Sequence, residues 1–371
     1  MNIINSALRP EERAIFDLRA LYEQYGYRKY KMSKFEECEL YLANKRFLPG
    51  GQVVTFTDPN GRLMALKPDV TLSIAKNAAH GPAEQEKVYY NENVYRTPHG
   101  TNEFKEIMQV GLECIGRADL YSEYEVVSLA CRSLRKLSGE SVMAVSHMGF
   151  VAGLMEACKL PEALSEKLLR CIGHKNTHEI VRLCEQAGVA KEDEERLVAL
   201  TRLCGELNET IESAEKIAVN DKMRAALAEL SALSQVLSDE ERGAIRLDFS
   251  VVNDLAYYNG LIFQGFISGV PSAVLSGGRY DRLMAKLGRC CEAIGFAVYL
   301  DELARCDVDE SAYDVDVLLL YGSDADVTKL AGAVKMLTAN GQRVRVQADE
   351  NGTLRAKQRL YLGEGGLEIL G

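Results

Sequence analysis

Apolar positions recur with a helical period after Pro10, where Ile15, Leu18, Leu21 and Tyr22 form a stripe. Pro10 suits a first helical position and Gly26 a left-handed stop, so the spacing predicts a helix between them. Two strand-like runs follow, "VVTFTD" and "LMALKP", on either side of the Asn60-Gly61 hairpin signal. A helix is expected from Asp69 to about Asn77. "KVYYNENVYRT" and "EIMQVGLECIG" read as an antiparallel pair joined by the polar "PHGTNEFK", and helix returns at "DLYSEYEVVSLACRSLRKL".

The texture then changes. "PEALSEKLLRCIG", "HEIVRLCEQAG" and "EERLVALTRLCGELNETIESAEKI" are helix-period segments, several of them closed by glycine. Strand character resumes at Ile245, runs through "SVVNDLAYYNGLIFQGFI" and continues to "AIGFAVYLDELA". A last segment alternates "VDVLLLYG", a helix at "DADVTKLAGAVKML" and "RVRVQAD", a β-α-β pattern. The expected fold class is therefore α+β, a mainly antiparallel sheet flanked by helices. Residues 1–150 and 243–306 would build the core, 151–242 a helical insertion packed as a small separate unit, and 311–371 a small α/β domain.

Composition narrows the function. The 371 residues carry 44 Lys+Arg against 54 Asp+Glu, a formal charge of −10, which is a poor start for holding a long polyanion. Ten cysteines are scattered without a C-x-x-C pair, the usage of reduced thiols in a cytoplasmic protein. "MNIINSALRPEERAIF" lacks an apolar signal region, and no apolar run reaches membrane-spanning length.

Few residues announce chemistry. The adjacent glycines of "LSGGRYDRLM" lack phosphate-loop spacing and read as a strand-to-helix turn. In "CIGHKNTHEI", His174 and His178 share helical spacing, but a metal needs three or four ligands, so capping and packing are expected and no metal or cofactor is assigned. Three places differ. Asp69 opens a helix after Pro68, two tyrosines adjoin at 257–258, and Glu113 sits inside an apolar strand, where a carboxylate is costly without a cation or donor. Gln109 shares the Glu113 face, an even four positions away, which suits a ligand ammonium group.

These pieces, in this order, resemble the class II aminoacyl-tRNA synthetase core and, within it, histidyl-tRNA synthetases. "GYRKYKMSKFEECELY" looks like the first motif with Ser33 in place of proline, and "ALKPDVTLSIAK" resembles the L-R-P-E-G-T stretch. "VYRTPHGTNEFKEIMQVGLECIG" is similar to the second motif, "SGGRYDRLMAKLG" with "AIGFAVYLDEL" to the third, and Ser250–Ile267 to the histidine-specific R-G-L-D-Y-Y region. The resemblance implies an amino-acid pocket at Asp69, Thr71, Gln109, Glu113, Tyr257 and Tyr258. It also implies that Arg96 is a vestige of the nucleotide site. Two positions that family members fill with arginine hold Asn253 and Glu302, and Ala256 replaces an acidic partner. Losing phosphate-facing cations, one to a carboxylate, argues against adenylate chemistry, because each such group contributes on the order of several kcal/mol.

The branch of the family with these departures comprises regulatory subunits of ATP phosphoribosyltransferase. The resemblance then implies no catalysis by this chain and partnership with a short-form catalytic subunit in the first step of histidine biosynthesis. It further implies a synthetase-like dimer within a hetero-octamer, feedback by L-histidine, no tRNA, and a truncated anticodon-binding-like C-terminal domain. A divergent active histidyl-tRNA synthetase and a free-standing histidine sensor are the alternatives.

Overall fold

The computed structural model describes residues 8–44, 48, 53–78, 85–97, 103–253, 255, 257–303, 313–348, 353–363 and 365–370. Its contacts divide the chain into two compact units, residues 10–306 and residues 307–371 with 1–9.

In the larger unit a nine-stranded sheet has the order β1-β5-β6-β12-β11-β10-β7-β9-β8. Its strands are β1 (Arg28–Lys29), β5 (Glu86–Arg96), β6 (Lys105–Gly116), β7 (Ser141–His147), β8 (Cys204–Gly205), β9 (Ile245–Asp248), β10 (Leu261–Ile267), β11 (Leu275–Arg279) and β12 (Glu292–Tyr299). From β5 through β7 every neighbouring pair is antiparallel, whereas β1–β5 and β7–β9 are parallel. A separate three-stranded sheet joins β2 (Phe35–Glu37), β4 (Leu63–Leu66) and β3 (Thr55–Thr57). The β3–β4 hairpin turns where Asn60-Gly61 predicts it: Gly61 has φ +81°, and the Asp58 carboxylate accepts from the amides of Asn60 and Arg62.

Strand alternation sorts residues to two faces. Val110, Leu112 and Cys114 of β6 join Ile294, Phe296 and Val298 of β12 in the main core, beneath the helices Pro10–Gln24 and Leu120–Leu137. Gln109, Gly111 and Glu113 point to the opposite face, where a smaller core of Val70, Ile74, Tyr90, Tyr257 and Leu283 lies. Full burial contributes about 1.5–3 kcal/mol per large apolar side chain, so both faces hold the sheet in register.

The helical block runs from Met148 to Ala244 and does not form a core of its own. Leu154, Leu168, Ile180, Leu197 and Leu230 all belong to the main core. Lys175, at φ 52°, ties the turn after helix Glu162–Gly173 to Asp248 at the end of β9, 2.9 Å away. That turn also separates His174, which ends one helix and bonds the Arg170 carbonyl, from His178 in the first turn of the next.

The smaller unit carries β14 (Val344–Gln347), β13 (Val315–Tyr321), β15 (Ala356–Gly363) and β16 (Gly366–Ile369), in that order across its sheet. β13 is parallel to β14 and β15, and a helix, Val327–Ala339, packs Leu337 on Val317, Leu319, Leu360 and Leu362. The expected α+β class with a small α/β region is the observed one. Among the described residues, no helix is long and apolar enough to cross a membrane.

Candidate amino-acid binding site

One cavity of about 330 Å³ opens on the face of the large sheet that carries Gln109 and Glu113. The strand registers place its floor in rows. Glu113 pairs with Gly295, which pairs with Gly278; Gly111 pairs with Ala297, which pairs with Ser276; Gln109 pairs with Tyr299. The small residues make the hollow. A Cβ at position 295 would collide with the Glu113 carboxylate and with the Leu112 carbonyl, so only glycine leaves this carboxylate room.

Glu113 lies 1% exposed at the centre of this floor. The Tyr280 hydroxyl donates to it at 2.6 Å and the Thr71 hydroxyl at 2.7 Å. Burial outweighs both donors, and Asp69 nearby adds to its effect, so the carboxyl is pushed up to about 8 from an ordinary 4.5. At neutral pH Glu113 therefore carries a proton.

Asp69 caps helix Val70–Asn77 and accepts from the Leu72 amide at 2.8 Å, as a polar residue between Pro68 and an apolar helical run should. Burial raises its carboxyl while Arg96, the Leu72 and Thr71 amides and Lys67 pull it back. The Arg96 guanidinium donates to the Pro68 carbonyl at 2.6 Å and stands 3.4 Å from Asp69. It braces the helix start. The wall opposite is a loop carrying Asn253, Tyr257 and Tyr258, and burial keeps the Tyr258 phenol protonated far above its ordinary range. The Lys286 ammonium sits 4.6 Å from the Tyr257 ring centre and steadies that loop.

Asp69, Thr71, Gln109, Glu113, Tyr257, Tyr258, Arg96 and Asn253 thus line one cavity. Glu302 does not line it; its carboxylate accepts from the Ser272 hydroxyl at 2.6 Å. Ala256 lies outside the described residues. The described residues between 249 and 260, expected to be strand, form no regular element. Asp248 holds the Ser250 amide and hydroxyl, and the Asn259 side chain is bonded to Asp281, so side-chain bonds replace a ladder here. Sequence reading missed Tyr90, Gln264, Ser276, Tyr280 and Tyr299, which reach the cavity only through strand register.

The lining suits a small ligand with cationic groups. Two buried carboxyl groups, Gln109 and several phenols share the cavity with one guanidinium that already serves Asp69. No second arginine or lysine appears among the described lining residues.

Comparison with known proteins agrees with the motifs. The histidyl-tRNA synthetase family model matches residues 4–303. A protein named ATP phosphoribosyltransferase regulatory subunit from Bacillus cereus is 28% identical over 348 residues, covering 90% of this chain and 81% of its own length. A protein of the same name from Acetivibrio thermocellus is 28% identical over 345 residues, covering 90% of this chain and 82% of its own.

Two solved structures share the fold. An ATP phosphoribosyltransferase regulatory subunit/histidyl-tRNA synthetase from Bacillus halodurans has a TM-score of 0.75 at 24% identity, covering 95% of this chain and 93% of that one. A chain of an ATP phosphoribosyl transferase (HisG:HisZ) complex from Thermotoga maritima has a TM-score of 0.60 at 20% identity, covering 77% of this chain and 96% of that one. On the extent of the family match, which spans the whole nine-stranded sheet, this chain belongs to the histidyl-tRNA synthetase family.

Proposed function

We propose that this chain is a non-catalytic regulatory subunit of ATP phosphoribosyltransferase, acting with a separate short-form catalytic subunit in the first step of histidine biosynthesis. The observation that carries the reading is the imbalance within the cavity. Its amino-acid-sized, acidic lining is kept, while a cation clamp for a nucleotide triphosphate is lacking among its described residues. Activation of an amino acid places charge on the α-phosphate, and the one cation among the described lining residues, Arg96, is already held by Asp69 and the Pro68 carbonyl. The names of the relatives support the same partner chemistry. On this reading the ligand is L-histidine, its ammonium near Asp69 and its imidazole at Glu113, within a cytoplasmic hetero-octamer built on a synthetase-like dimer.

The purified chain is expected to show no histidine-dependent exchange of pyrophosphate into ATP above background. Exchange comparable to an active synthetase would make it a divergent histidyl-tRNA synthetase instead, and tRNA charging would follow.

A further inference from the structure

In the Gln109 row of the cavity floor, β12 contributes one large side chain, Tyr299. Tyr299 closes β12 and pairs across the sheet with Gln109, two residues beyond Ala297 on the same face. Its hydroxyl is engaged on the neighbouring strand. It lies 2.5 Å from the Ser276 hydroxyl on β11, one row back toward the cavity centre. The ring therefore crosses from the β12 end toward β11, whose cavity-face positions, like the others of β12, are glycine, alanine and serine.

We propose that Tyr299, pinned by Ser276, is the residue that limits this site to a single free amino acid and excludes anything that extends beyond its carboxyl. The proposal rests on the amino-acid reading above. A cavity of about 330 Å³ is at the small end for ligand sites, which run from roughly 300 to 1,000 Å³. Glu113 and Gln109 are four residues apart on β6, roughly 13 Å along the strand. A ligand with its side chain at Glu113 and its ammonium near Asp69 directs its carboxyl toward the Gln109 row. Tyr299 stands in that row, paired with Gln109. Selection of this kind is exclusion by a clash, which needs no loss of contacts to the accepted ligand. The same pocket without this ring would have room for an amino acid joined to a second planar group.

The test uses calorimetric titration of the full chain with L-histidine and with L-histidine β-naphthylamide, whose planar group extends from the carboxyl carbon. Wild type is expected to favour histidine by roughly 100-fold; Tyr299→Ala should shift the ratio of the two affinities about tenfold toward the naphthylamide. Ser276→Ala keeps the ring but releases its hydroxyl, and should shift the ratio the same way by about threefold. An unchanged ratio in both variants, or no naphthylamide binding to any of them, overturns the proposal. If wild type binds no histidine, the amino-acid reading fails; a naphthylamide gain on Tyr299→Ala would still uphold the size limit.

Discussion

Glu113→Gln is expected to weaken L-histidine binding by about 10- to 100-fold, the range lost with a hydrogen bond to a charged partner. The size follows from where the proton sits. Before a ligand binds, one is on Glu113, whose carboxyl is buried and raised to about 8. A histidine arriving with a neutral imidazole can share that proton, so the pair forms without exchange with solvent. Below about pH 6.5, the ordinary imidazole value, the ligand brings its own proton and one must leave. Above about 8, Glu113 has already lost its proton and one must be taken up. Affinity should therefore be level between those limits and fall up to tenfold per pH unit outside them. Glutamine cannot share a proton, and its binding should lose the upper limb.

The same group acts on stability in the opposite sense. Its folded-state value lies above the unfolded one, so the native protein binds the extra proton. The contribution is complete below the ordinary 4.5 and is lost as pH rises to about 8. Glu113→Gln should remove that slope and leave the empty protein at least as stable as wild type at alkaline pH. Thermal melts across pH, beside calorimetry, check both halves. A variant that loses binding and unfolds alike at every pH would show only a structural role.

Arg279→Met should destabilise the large unit by about 3 kcal/mol, within the range for breaking a buried ion pair. The guanidinium at the end of β11 meets Asp281 at 2.7 Å, Glu123 at 2.9 Å and Glu292 at 2.6 Å, and donates to the Ala118 carbonyl. Burial lifts the Glu123 carboxyl and Arg279 pulls it back, so removal leaves a buried acid without that partner. The effect reaches the site through Tyr280, the next residue, which donates to Glu113, and through Asp281, which holds Asn259 at the base of the tyrosine loop. Ligand binding should weaken with stability, and denaturant titration with and without histidine measures the two together.

Local chemistry made much of this legible in advance. An even spacing put Gln109 and Glu113 on one face, a polar residue after Pro68 marked a helix cap, and Asn60-Gly61 marked a hairpin. What failed were inferences where tertiary bonds overrule composition. The β-branched and aromatic residues after Asp248 have strand character, yet Asp248, Asn259 and Asp281 bond them into a loop. His174 and His178 lie at a helix junction and His174 caps a helix, as expected, but the turn through Lys175 denies them the shared face that their spacing suggests. Glu302 reads as a reversed charge within the site, whereas its side chain turns to Ser272. Tyr280 and Tyr299 could not be assigned because their places depend on the pairing of β11 and β12 with β6, which no local pattern specifies.

The central claim is that this member of a synthetase family serves another enzyme's catalysis. The most direct measurement is ATP phosphoribosyltransferase activity of a short-form catalytic subunit, assayed alone, with this chain, and with this chain plus L-histidine. The account predicts that activity appears or rises strongly only in the mixture and falls when histidine is added. Activity of the catalytic subunit that is indifferent to this chain would contradict it.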